Sequence, residues 1–394
     1  MTLRPRRGRV RSGLEQLLAR PGRLRGARLG LVANPASVTA DLTHASLALY
    51  ASRGVRLRVL FGPEHGIWAN AQDLVEVEDG RDPATGLPVH SLYGRSREPA
   101  AQALEGLDAL VVDLQDIGSR YYTYIYTMLG CLHACARHKR ALWVLDRPNP
   151  LGGRRLEGNV LDPAFRSFVG MHPLPVRHAM TIGELALLFR NELSLDVELN
   201  VVRMAGWRRE MYFEDTGLPW VLPSPNMPTP DTAVVYPGGC LIEGTNLSEG
   251  RGTTRPFEIV GAPWLDPWRL ARDLTAERLA GVSFRPLYFT PTFQKHAGRL
   301  CGGVQLHVHD RTRFEAYLAF LLLIQHARRQ SLERFQWRDP PYEYEPVKRP
   351  IDILCGTDQI RRALEAGQSP RRLRAGWRRQ LDAFRRRRAP MLLY

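Results

Sequence analysis

The sequence predicts an α/β protein: a Rossmann-like parallel-sheet domain over residues 12–230, followed by a smaller α/β or α+β domain over residues 231–394 that completes a cleft. Short runs of continuous apolar residues alternate with stretches of helical spacing in the first half, the pattern of strands buried on both faces by crossover helices. Each apolar run ends in a polar cluster, which is where an open parallel sheet builds its site. Around Pro219–Pro237 the chain turns proline-rich (PWVLPSPNMPTPDTAVVYP), as in a structured crossing between two units.

The elements follow in order. Leu29–Asn34 (LGLVAN) reads as a short buried strand, and His44–Arg53 has helical spacing. Leu57–Phe61 is again strand-like and stops at Gly62-Pro63. Asp108–Leu114 (DALVVDL) is a stronger strand, Tyr122–Lys139 a helix, and Ala141–Asp146 (ALWVLD) the next strand. Thr181-Ile-Gly-Glu184 matches a capping box at the head of a helix reaching Leu193. Beyond Gly238, strands are expected near Cys240–Gly244 and Gly303–His309, with helices over Phe314–Arg328 and Leu373–Arg388.

Composition narrows the function classes. With 44% hydrophobic and 24% charged residues the chain reads as a soluble globular protein, and no apolar run approaches the roughly 20 residues that span a bilayer. The net charge is +15, but of 55 basic residues only Lys139, Lys295 and Lys348 are lysines, and much of the excess sits in Arg4–Arg11 and Arg385–Arg388. Such clusters read as solvated tails; no groove-reading motif supports a nucleic-acid partner. The five cysteines have no repeated spacing, and Cys131 and Cys135 read as small buried hydrophobes. His133, His138, His172 and His178 lack metal-ligand spacing, so no metal is expected. No G-x-G-x-x-G follows the first strand and no G-x-S-x-G occurs, which argues against a dinucleotide cofactor and a serine hydrolase. The basic start is followed by the arginine-rich stretch Gly8–Arg28 rather than an apolar core. The sequence as given thus predicts a cytoplasmic protein without a leader, or an exported one if the start omits it.

Three constellations could carry chemistry. Pro63-Glu64-His65-Gly66 places a carboxyl and an imidazole at a strand tip, where proline stiffens the approach and glycine permits a tight turn. Glu64 there is either a general acid or a cap paired with an arginine. In Asp113–Tyr124 (DLQDIGSRYYTY), Asp116 and Arg120 are neighbours over one helical turn, and Tyr124 and its fellow tyrosines offer flat faces with hydroxyls. The alternatives are a sugar site or an ion pair beside core tyrosines. Glu243–Glu258 (EGTNLSEGRGTTRPFE) concentrates acids, arginines, threonines and glycines that are expensive to bury, so it lines a cleft; a phosphate loop is the rival, but the Walker lysine is missing.

At these motifs a family resemblance emerges. FGPEHG (61–66), TGLPVHSLYG (85–94), DLQDIGSRYYTYIYTM (113–128), LDRPNPLGG (145–153), SFVGMHPLPV (167–176), MTIGELA (180–186), PSPNMPT (223–229) and LIEGTNLSEGRGTTRPFE (241–258) occur in this order, continuing through PPYEYE (340–345) and PIDILCG (350–356). Together they resemble the NamZ-type exo-β-N-acetylmuramidases. The resemblance implies two domains with a site between them, and hydrolysis of a β-1,4 bond that frees N-acetylmuramic acid from the non-reducing end of peptidoglycan fragments. It implies Glu64 as the catalytic residue and Asp116, Arg120, Asn226, Asn246, Glu249 and Arg251 as cleft residues. His65, Tyr124 and Glu243 join them as substrate contacts on position. Glu249 is the first expectation for a second catalytic carboxylate, then Glu243, then Asp116; Arg251 or Arg120 would bind the lactyl carboxylate. No cofactor is expected. A non-catalytic binder of peptidoglycan fragments is the alternative.

Overall fold

A computed structural model describes residues 8–68, 79–94 and 96–394; the Arg4–Arg7 part of the basic N-terminal cluster lies outside them. The strands are β1 Arg28–Ala33, β2 Arg56–Gly62, β3 Gly80–Arg81, β4 Pro88–Ser91, β5 Ala109–Asp113, β6 Ala141–Leu145, β7 Glu157–Val160, β8 Pro175–Arg177, β9 Leu199–Val202, β10 Ile259–Ala262, β11 Val282–Phe289 and β12 Cys301–Val308. Seven form one sheet in the order β3-β4-β2-β1-β5-β6-β9, and only β3 runs antiparallel to its neighbour. The six parallel strands follow the doubly wound order that reverses beside the first strand. Continuous apolar runs explain this: β5 is buried at every position, as a strand covered on both faces must be. A second, antiparallel sheet has the order β10-β12-β11, and β7 pairs with β8 as a two-stranded ribbon.

Polar residues tie the ends of β1, β5 and β6 together. Asn34 Nδ2 donates to the Gln115 carbonyl at 3.3 Å, and Arg147 forks onto Asp113 at 2.5 and 2.8 Å. The helix after β5 spans Tyr124–His138, and the capping box is present as read, with Thr181 Oγ1 accepting from Glu184 N at 3.3 Å and Glu184 accepting from Thr181 N at 3.1 Å. One apolar core runs from β1 and β5 into the long helix Ala316–Gln330 and on to Phe384. All five cysteines are buried thiols. Among the described residues no helix is long and apolar enough to cross a membrane.

Three local expectations need correction. Cys240–Gly244 is a 3₁₀ turn that continues the helix Pro230–Gly239, not a strand; an apolar run this short carries no usable period. Leu373–Arg388 is two helices, Pro370–Gly376 and Arg378–Arg388, joined at Trp377. The helix after β5 starts only at Tyr124, so Asp116 and Arg120 do not share a helical turn and form no ion pair.

Candidate active site

The turn after β2 is built to hold one carboxyl. At Gly62 a Cβ would come within 2.8 Å of the Ile67 nitrogen, so only glycine fits. Gly66 N closes the turn on the Pro63 carbonyl at 2.9 Å, with His65 at φ 69° and Gly66 at φ 80°. A left-handed histidine is a strained choice that the surrounding structure must enforce. Glu64, between them, is 7% exposed and accepts a 2.6 Å hydrogen bond from Thr123 Oγ1 at the end of the β5 loop. Its other oxygen has no protein partner among the described residues.

Glu64 opens into a recess of about 550 Å³ out to its mouth, lined also by His65, Tyr121–Tyr124, Ser224, Asn226, Tyr236, Glu243, Arg251, Phe257, Tyr342 and Glu343. The tyrosines are walls rather than open platforms. Tyr122 OH donates to Ser224 Oγ at 2.9 Å, Tyr124 OH to the Pro223 carbonyl at 2.6 Å, and Tyr121 OH to the Pro237 carbonyl. Buried hydroxyls with satisfied bonds keep these rings in place. Burial, with Glu64 nearby, pushes the Tyr124 phenol well above its ordinary range, so it stays a neutral wall.

The Glu243–Glu258 loop supplies the opposite side. Glu243 receives Arg251 Nη2 at 2.8 Å and the Tyr342 hydroxyl at 2.5 Å. Behind it, Glu249 is 3% exposed and sits between Lys295 Nζ at 2.9 Å and Arg251 Nε at 3.4 Å. Burial alone would raise the Glu249 pKa, but the two cations outweigh it and hold the group below the usual carboxylate range. The arrangement is a chain, Lys295–Glu249–Arg251–Glu243–Tyr342, that fixes Glu243 in the recess.

Of the residues singled out in the sequence, Glu64, His65, Tyr124, Asn226, Glu243 and Arg251 meet at the recess. Glu249 stands one layer behind. Asp116 turns back on its own loop, accepting from Gly118 N at 2.7 Å. Asn246 bridges to Gln336 N and the Arg334 carbonyl, at 3.0 and 2.7 Å. Arg120 is fully buried, its guanidinium bound to the carbonyls of Asn159, Leu174 and Leu354 at 2.8 to 3.0 Å, which leaves it no part in the recess. Sequence reasoning missed Thr123, Tyr342 and Glu343. The last two lie in the PPYEYE block, where an acid between tyrosines in a proline-rich turn was the available signal.

Glutamates gathered inside tyrosine walls, beyond the carboxyl ends of a doubly wound sheet, define a glycosidase-type site. The chain belongs to the exo-β-N-acetylmuramidase NamZ family: residues 29–231 match the family's N-terminal model and residues 234–394 its C-terminal model. It is 45% identical over 387 residues to the peptidoglycan β-N-acetylmuramidase NamZ of Bacillus subtilis (strain 168), covering 98% of this chain and 92% of that protein. A DUF1343 family protein of Bacteroides fragilis superposes with a TM-score of 0.88 at 34% identity, covering 99% of this chain and all of the other. A second from the same organism has a TM-score of 0.78 at 29% identity, covering 98% and 99%.

Proposed function

We propose that this protein is an exo-β-N-acetylmuramidase that removes terminal N-acetylmuramic acid from peptidoglycan fragments, with Glu64 as the general acid. The observation that carries the reading is the recess itself, where Glu64 has one oxygen fixed by Thr123 and faces a wall that carries Glu243. Glu64 donates its proton to the departing glycosidic oxygen as the anomeric C–O bond breaks. Water attacks the anomeric carbon and gives up its proton to a second carboxylate. Glu243 suits that role better than Glu249, because it lines the recess, while Glu249 is occupied by Lys295 and Arg251. Glu249 then acts as a positioning residue for Arg251, which remains the candidate for the lactyl carboxylate. His65, Tyr124 and Asn226 are proposed sugar contacts. The division near residue 230 is kept as part of the same reading.

The test is Glu64→Gln on a muramic-acid-terminated disaccharide, with products read by mass spectrometry. The expected result is a kcat lower by about 10²–10⁴-fold with little change in KM. Near wild-type turnover removes Glu64 from the mechanism.

A further inference from the structure

Next to the recess lies a shallower, more open hollow of about 740 Å³, lined by Arg97, Arg166, Phe168, Met171, Glu343 and Tyr344. Glu343 belongs to both linings, so the two spaces adjoin. The hollow has an unusual floor. The Arg97 guanidinium carbon sits 4.7 Å from the centre of the Phe168 ring and 4.0 Å from that of Tyr344. Those two rings meet edge-on at 6.2 Å, and Tyr93 packs against both at 5.9 and 5.6 Å. Stacking of this kind immobilises the guanidinium while leaving its N–H edge available, and among the described residues no carboxylate lies within ion-pair distance of it. Tyr344 is 44% exposed and Met171 37%, large apolar surfaces shown to water beside a buried core. The turn that displays Tyr344 is strained, with Glu343 at φ 47° and Tyr344 at φ 64° in succession.

We infer that this hollow is the subsite for the leaving part of the substrate, the saccharide on the reducing-end side of the bond that is cut. The inference rests on the exo-acting reading of the recess. An enzyme that removes a terminal sugar needs room beyond that sugar in one direction only, past the scissile bond. The recess is the closed space that takes the terminal residue, and the hollow is the open space that continues from it. Its chemistry suits a pyranose chain: an exposed tyrosine ring for the apolar ring face, and fixed guanidinium donors for hydroxyl oxygens.

The test compares two substrates: a peptide-free tetrasaccharide with muramic acid at its non-reducing end, and the methyl β-glycoside of N-acetylmuramic acid, whose leaving group is too small to reach Tyr344. For Tyr344→Ala and Arg97→Ala, the ratio of kcat/KM on the tetrasaccharide to that on the methyl glycoside is expected to fall about tenfold. Tyr344→Phe, which keeps the ring, is expected to hold the ratio within about twofold. An unchanged ratio in the alanine variants, whether activity drops on both substrates or on neither, overturns the inference. So does a loss seen only when the saccharide carries stem peptides, which would give the hollow to the peptide. If the unaltered protein releases no muramic acid from either substrate, the reading of the recess fails first and the subsite with it.

Discussion

Burial changes what individual residues can do, and Asp146 is the clearest case. It is fully buried at the end of β6, accepting from Tyr394 OH at 2.7 Å, Thr181 Oγ1 at 2.8 Å and Gly183 N at 2.8 Å. Burial pushes its pKa up to about 7, with the three donors pulling the other way. In the unfolded chain the group ionises near its ordinary value, so between about pH 4 and pH 7 the folded state holds the extra proton. Stability from this residue is therefore fully present at the acid end and is lost as pH rises through that window. For Asp146→Asn we expect denaturation midpoints at pH 5 and pH 8 to differ less than in the unaltered protein, which urea titrations at the two pH values check. Arg120 shows the limit of reading residues by spacing. Four positions from Asp116 it reads as an ion-pair partner, yet its acceptors are carbonyls 39, 54 and 234 positions away in the chain.

At the scale of elements, the Glu243–Glu258 loop is a polar segment kept in shape by buried charge. Lys295, from a loop between β11 and β12, donates to the carbonyls of Ile242 and Leu247 at 2.9 and 2.8 Å and pairs with Glu249. Lys295→Met would leave Glu249 with only the more distant Arg251 for compensation. Removing one partner of a buried pair destabilises by about 3–5 kcal/mol, so a loss of that order is expected in chemical denaturation, and adding Glu249→Gln should recover part of it. The density of acids, arginines and glycines marked this loop as cleft-lining from its sequence. Which of its two leading acids faces the recess could not be read there, because Glu243 and Glu249 differ only in what arrives from Lys295 and Tyr342.

The whole molecule is closed by its last residues returning to the first sheet. Tyr394 packs edge-on against Trp207 at 5.2 Å, accepts from Met204 N at 2.8 Å and donates to Asp146, while Leu393 N donates to Glu184 at 2.9 Å. Tyr394→Phe keeps the ring but removes both hydroxyl bonds, leaving a buried main-chain N–H and one lone pair of Asp146 unmet. We expect a loss of about 1–3 kcal/mol, visible as a lower Tm with kcat unchanged. The alternation of apolar runs and helical stretches was enough to specify a doubly wound sheet with its polar clusters at the strand ends, since burial on both faces writes itself into every position of a strand such as β5. The Pro63–Gly66 turn was legible for the same reason: its constraints are local. Which carboxylates meet was not. Glu64, Glu243 and Glu343 lie far apart in the chain, and their meeting depends on how the second unit packs against the sheet and on which cations and hydroxyls reach each acid first. Those partners are set by long-range packing, which no local pattern of residues encodes.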